Sequence, residues 1–107
     1  IVYVEKNYLF EVNKIRGVLE GIWNKWSLDN IKIEEGHYKE GVKIGTWYKY
    51  DTKGNLSEEF TYDESGRFLF DIKYYNNGNV KRYRDYFSKT IRDYNYDGSL
   101  KGELKTF

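Results

Sequence analysis

Few side chains in this chain could do chemistry, and their spacing argues against most of it. His37 is the single histidine and stands beside Tyr38 in a run that reads as strand. A nucleophile or general base needs a partner held within hydrogen-bond reach. Every Ser, His, Asp set would have to pass through this one imidazole, and the five serines fall mostly in turns. Carboxylates gather at Glu58, Glu59, Asp63 and Glu64. Two carboxylates on one surface can share acid and base roles in glycoside hydrolysis, or hold a divalent cation, but at these positions they read as solvated strand and turn charges. The chain has no cysteine, which removes disulfides and thiolate sites, and it shows no metal-ligand spacing or phosphate-binding glycine loop. No catalytic residue, metal or cofactor is therefore expected.

What remains is the chemistry of recognition. Aromatic residues make up 20% of the chain, and tryptophan, tyrosine and arginine dominate the energetic centres of protein interfaces. The residues expected to stand exposed and meet a partner are Trp23, Trp26, Trp47, Tyr83, Arg82 and Arg84. The same aromatics could instead pack across strands, and the two roles are compatible. Overall charge offers little bulk field for nucleic acid or membrane, with 18 basic residues against 17 acidic. Along the chain it is uneven: from Arg67 onward there are nine basic and five acidic residues, while Gly41 to Gly66 is net acidic. Cations interleaved with tyrosines, as in Lys81, Arg82, Tyr83, Arg84, can hold single-stranded nucleic acid. Asp71, Asp85, Asp93 and Asp97 dilute that patch, so an acidic protein surface or a nuclease groove is the expected complement, ahead of direct nucleic-acid binding.

The elements that must position these residues are set by a repeat. A tyrosine recurs every twelve residues at Tyr38, Tyr50, Tyr62, Tyr74 and Tyr86. Gly54, Gly66 and Gly78 keep the same step, each followed two residues later by Leu56, Phe68 or Val80. A type I turn ends in a residue at positive φ, which glycine adopts without penalty. A three-residue loop Thr52, Lys53, Gly54 then sets Asp51 opposite Asn55 and Tyr50 opposite Leu56, and the same arithmetic sets Tyr62 opposite Phe68 and Tyr74 opposite Val80. Strict alternation would put Tyr50, Leu56, Glu58, Phe60, Tyr62, Phe68, Phe70, Ile72, Tyr74 and Val80 on one buried face, with Leu69 and Tyr75 as apolar exceptions on a wet one.

A second signature, Gly17, Gly21, Trp23, returns as Gly41, Gly45, Trp47 at an offset of twenty-four. Upstream, Ile1 to Val4 and Tyr8 to Val12 read as two strands around a turn at Glu5, Lys6 and Asn7. After Tyr86 the phase slips: Tyr94 to Leu100 match the template only eight residues on, with a tighter turn at Ser88 and Lys89. The expectation is one all-β domain, residues 1–107, of about 8–10 short strands. Residues 1–16 form irregular N-terminal strands, 17–86 carry the repeats, and 87–107 make an atypical C-terminal cap. No apolar run is long enough to span a bilayer and no signal-peptide pattern is visible; localisation stays open, with the cytoplasm favoured. Because the chain begins at Ile1, a preceding segment is also expected.

The Gly-x3-Gly-x-Trp motif, with the downstream Tyr-Asp-x2-Gly-x-Leu, resembles the bacterial MORN-variant repeat of proteins often labelled YwqK-type antitoxins. The match is strongest from Gly36 to Leu56 and at Gly66, Gly78 and Gly98, and weaker from Gly17 to Trp26. About two thirds of the chain is covered. The resemblance implies an elongated, twisted antiparallel meander of β-hairpins and a role in binding, with neutralisation of a toxin the usual label. Phe87 to Arg92 lacks the template glycine, and no Gly-x-Trp returns after Gly66. The functional expectation is a non-enzymatic protein-binding module, an antitoxin or immunity-type inhibitor that covers a toxin or nuclease partner. Alternatives are a phage-encoded inhibitor of a defence nuclease and a membrane-associated scaffold.

Overall fold

Local turn chemistry builds the sheet. At Asp51 the backbone N–H donates to the Asn55 carbonyl at 2.8 Å, and Gly54, at φ +85°, donates back to the Asp51 carbonyl at 3.0 Å. The Asp51 carboxylate accepts the N–H groups of Lys53 and Asn55, both at 2.9 Å, so the side chain holds the turn from inside. The same loop returns at 63–67, 75–79 and 95–99. The register it sets is the expected one: Tyr50 opposite Leu56, Tyr62 opposite Phe68, Tyr74 opposite Val80 and Tyr94 opposite Leu100. Arg16-Gly17 and Glu40-Gly41 make two-residue turns with both residues at positive φ, the geometry that matches the twist of paired strands.

In the computed structural model, which describes residues 1–107, these turns join ten strands: β1 (Val2–Glu5), β2 (Tyr8–Ile15), β3 (Val18–Ser27), β4 (Lys32–Lys39), β5 (Val42–Tyr50), β6 (Leu56–Tyr62), β7 (Phe68–Tyr74), β8 (Val80–Asp85), β9 (Thr90–Tyr94) and β10 (Leu100–Thr106). They form one open antiparallel sheet in chain order. No helix is present.

The expected single buried face is not what forms. Beside the loops at 51–55, 63–67 and 75–79 one strand carries an extra residue. Leu69 is skipped between the pairs Thr61–Phe70 and Tyr62–Phe68, and Lys81 between Lys73–Arg82 and Tyr74–Val80. Such a bulge shifts the pairing by one and so exchanges faces. Phe60, Tyr62 and Phe68 share one face, where their rings meet. Tyr50, Phe70, Ile72 and Tyr74 lie on the other. The tyrosines of the twelve-residue step therefore alternate: Tyr38, Tyr62 and Tyr86 point to a front face, Tyr50 and Tyr74 to a back face. The structural repeat is twenty-four residues, two strands long.

The molecule measures 48 × 33 × 16 Å, a single layer with nothing packed over either face. Five residues are buried: Val12, Asn24, Gly36, Trp47 and Asp71. Four of them line a seam within the front face; Asn24 lies on the back, where it donates to Glu11 at 2.9 Å. Trp47 fills it, 2% exposed, with its ring 5.3 Å from Trp23 and 5.0 Å from Tyr38. Its indole N–H donates to the His37 carbonyl at 3.2 Å. Gly36 lies beneath the ring, and a Cβ there would fall 2.0 Å from Trp47 Cδ2.

The turns also set a pH limit. Backbone N–H donors, led by Asn55 for Asp51 and Arg67 for Asp63, hold both carboxyls below their ordinary range. A group whose folded value is depressed adds stability above its unfolded value, near pH 3.9, and loses it as pH falls. Asp51→Asn and Asp63→Asn should therefore flatten the fall of Tm between about pH 4 and pH 2. An unchanged acid limb in thermal melts would rule this out.

Candidate functional site

Two rows of side chains cross the front face. The first follows the registered pairs Val12, Trp23 and Gly36, then Trp47, which lies over Gly36, then Phe60, Asp71, Arg84 and Ile91. It is aromatic from β3 to β6 and carries an ion pair on β7 and β8. Arg84 grips Asp71 with two parallel bonds, Nε to Oδ1 at 3.0 Å and Nη2 to Oδ2 at 2.6 Å. The Asp71 side chain is 3% exposed and that of Arg84 32%. The hydrogen bond to Asp71 raises the already high pKa of the guanidinium. The second row is charged. Pair by pair it reads Lys25, Glu34, Lys49, Glu58, Lys73, Arg82, Asp93, Lys101.

At the β1–β3 end the front face presents Tyr3, stacked at 5.2 Å on Phe10, which in turn meets Trp23 at 5.9 Å. Lys25 sits 4.1 Å over the Tyr8 ring, and Lys43 4.4 Å over Trp47. Cations held over ring faces are favourable, and they leave an aromatic patch that is positively charged.

The back face carries a repeated phenol–carboxylate pair. Tyr50 donates to Glu35 at 2.5 Å and Tyr74 to Glu59 at 2.9 Å, each fifteen residues back. Burial and the hydrogen bond to Glu59 push the Tyr74 phenol up to about 12, and Tyr50 is raised for the same reasons. Partial burial opposes ionisation of Glu35, but bonds from Lys32 and Tyr50 and the Lys32 charge outweigh it and lower its pKa. Raised phenols add stability below their unfolded value near pH 10 and lose it as pH climbs through the folded value. Absorbance titration near 295 nm should show tyrosines that ionise only above about pH 11, and their number should fall in Tyr50→Phe and Tyr74→Phe. Twelve phenols titrating together near pH 10 would disprove it.

The six residues expected to form one exposed surface do not do so. Trp47 is the most deeply buried aromatic and holds the core; its Gly-x-Trp motif signals packing over a glycine. Trp23 is half-buried beside it. Trp26 and Tyr83 lie on the back face, Trp26 opposite Leu9 and Tyr83 stacked 5.5 Å from Phe70. Arg84 is spent on Asp71, and Arg82 donates Nε to Asp93 at 2.7 Å. Tyr3, Phe10 and Lys25 were missed, because their approach to Trp23 depends on a strand pairing that the first sixteen residues do not declare. Among the acids, Glu58 lies in the front charged row, Glu59 bonds Tyr74 on the back, and Asp63 and Glu64 sit in a turn. They do not converge, and no group of three His, Cys, Asp or Glu side chains is placed to hold a metal ion. His37 is exposed on β4.

No protein-family model matches the chain, and no curated protein matches it. Among solved structures, a Staphylococcus aureus TarM variant in complex with fondaparinux, α-GlcNAc-glycerol and UDP is similar in fold, with a TM-score of 0.54 and 14% identity over 87% of this chain. A GtfA/B complex bound to UDP and GlcNAc gives a TM-score of 0.43 and 11% identity over 91% of this chain. The chain spans 21% and 24% of those proteins. The TarM likeness speaks for the sheet alone. No helix here is long and apolar enough to cross a membrane.

Proposed function

We propose that the chain is a non-catalytic binding module that seats a protein partner against the β1–β5 end of its front face. The observation that carries this reading is the single-layer sheet. Its aromatic patch of Tyr3, Phe10 and Trp23, with Lys25 and Lys43 over neighbouring rings, has no second layer to cover it. Aromatic anchors ringed by cations fit a partner surface with apolar pockets and an acidic rim. In its sharpest form the seating blocks the partner's functional surface, in the manner of an antitoxin or immunity-type inhibitor. The resemblance to MORN-variant repeats supports that form.

The test is a titration with a partner isolated by tagged capture from the source organism and then purified. One copy should bind per chain, the partner's activity should fall in step with occupancy, and Tyr3→Ala with Lys25→Gln should weaken binding at least tenfold. Both positions lie outside the Trp47 seam, so the variant should remain folded. A partner that keeps its activity when saturated would remove the inhibitor form, and one that binds the double variant as tightly would remove the surface.

A further inference from the structure

The charged row of the front face alternates in sign from β3 to β7: Lys25, Glu34, Lys49, Glu58, Lys73. Opposite charges across a strand pair stabilise it, and like charges directly opposite do the reverse. At the next step the alternation fails. Lys73 faces Arg82 directly, two cationic side chains whose Cβ atoms stand about 5 Å apart, the ordinary spacing of directly opposite residues. The row then resumes with Asp93 and Lys101.

The break coincides with a cavity of about 430 Å³, lined by Lys73, Lys81, Arg82, Asp93, Lys101 and Lys105 with Tyr75 and Tyr94 as walls. Five cations thus surround one carboxylate. Asp93 is already engaged, accepting from Arg82 Nε at 2.7 Å and Lys105 Nζ at 3.5 Å. Its charge fixes the Arg82 fork by the inner nitrogen and leaves both terminal amino groups free of any bond within the protein. Lys73, Lys81 and Lys101 form no ion pair. Lys81 is the skipped residue of the β8 bulge, a device that re-aims a side chain and that recurs beside functional sites. Glu58, on the far side of Lys73, approaches no cation within 4 Å.

We propose that this cavity between β7 and β10 binds a phosphate or sulfate group carried on a larger ligand. A tetrahedral oxyanion placed between Lys73 and Arg82 removes their repulsion, accepts from the free Arg82 amino groups and is reached by Lys81 and Lys101. The cavity is an order of magnitude larger than the roughly 30 Å³ of one water. It therefore has room for the group that bears the anion, and Tyr75, whose hydroxyl donates to the Tyr94 carbonyl at 2.7 Å, lines its edge. The site is distinct from the aromatic patch at the other end of the sheet and does not depend on that reading.

The probes are tripolyphosphate, inorganic sulfate and citrate, followed by thermal shift and by backbone amide NMR at about 50 mM salt, where exposed charges are weakly screened. At about ten times its dissociation constant tripolyphosphate should raise Tm by about 5 °C or more. Shifts should concentrate on Lys73, Lys81, Arg82 and Lys101, and sulfate should move the same amides. Lys73→Gln should abolish the rise while changing the Tm of the free protein little, since it removes one like-charge pairing, with Arg82, and one opposite-charge pairing, with Glu58. Lys101→Gln, on the edge strand, gives a second variant should the first fold poorly. Lys14→Gln, on β2, should bind as wild type. Comparison of the two anions decides whether phosphate or sulfate is the preferred group. Citrate binding as tightly as tripolyphosphate would overturn the proposal in favour of a contact for carboxylates on a protein. Shifts spread over all lysines, an equal loss in Lys14→Gln, or no binding by either oxyanion would also overturn it.

Discussion

Trp47→Ala should cost about 3–5 kcal/mol, the range for removing a large buried aromatic, and leave little of the roughly 5–15 kcal/mol that holds a domain of this size folded. The reason is architectural. A two-layer protein spreads its core over many residues, whereas here only Val12 and Trp47 are buried apolar side chains. Removing the indole strips Trp23 and Tyr38 of their ring contacts and opens the seam to water from a sheet 16 Å thick. The glycine below provides the control. Gly36→Ala forces a Cβ into the ring and should itself cost about 3 kcal/mol by overpacking. In the Trp47→Ala background the same change meets empty space and should cost almost nothing. Urea unfolding of the two single variants and the double gives the coupling, expected to exceed about 2 kcal/mol. Additive costs would mean that the ring does not rest on Gly36.

The second large effect lies three strands along the same row. Arg84→Met should lose about 3 kcal/mol, because Asp71 stays buried with no counter-charge. The lower end of the usual range applies, since a third of the Arg84 side chain meets solvent and water can partly replace it. Arg84→Lys should recover only part, since an ammonium cannot supply the two parallel bonds. The double variant Asp71→Leu with Arg84→Met removes both charges and should return to within about 1 kcal/mol of wild type. Denaturant midpoints for the three variants decide it. A single Arg84→Met loss under about 0.5 kcal/mol would show that the pair contributes no more than an exposed one.

The hairpins were legible in the sequence because their causes are local. Asp51, Gly54 and Asn55 contain the whole loop, and the registers at Tyr50, Tyr62, Tyr74 and Tyr94 follow from counting residues around it. Face assignment was not legible. It turns on one unpaired residue per bulge, and Leu69, noted only as an apolar exception to the alternation, was the visible trace of the one between β6 and β7. The candidate site suffered from the same cause. Arg84 and Asp71 are thirteen residues apart and meet only once the β7–β8 bulge is counted. Trp23 and Trp47 share a motif and each has aromatic neighbours, yet only Trp47 lies over Gly36 and is fully buried. The Lys73–Arg82 opposition is a property of the register and has no signature in any window of the chain.

The alternation of the tyrosines between faces constrains how such a protein can change its length. Deleting one twelve-residue step would preserve every spacing in the tyrosine series and every loop sequence. It would also present each downstream strand back to front, parting Trp47 from Phe60 and setting the Asp71–Arg84 pair against the phenol–carboxylate face. Growth or loss by a hairpin pair, twenty-four residues, keeps the two surfaces separate. A lineage of such sheets should therefore vary in length by even numbers of strands, and an engineered extension should be built in the same unit.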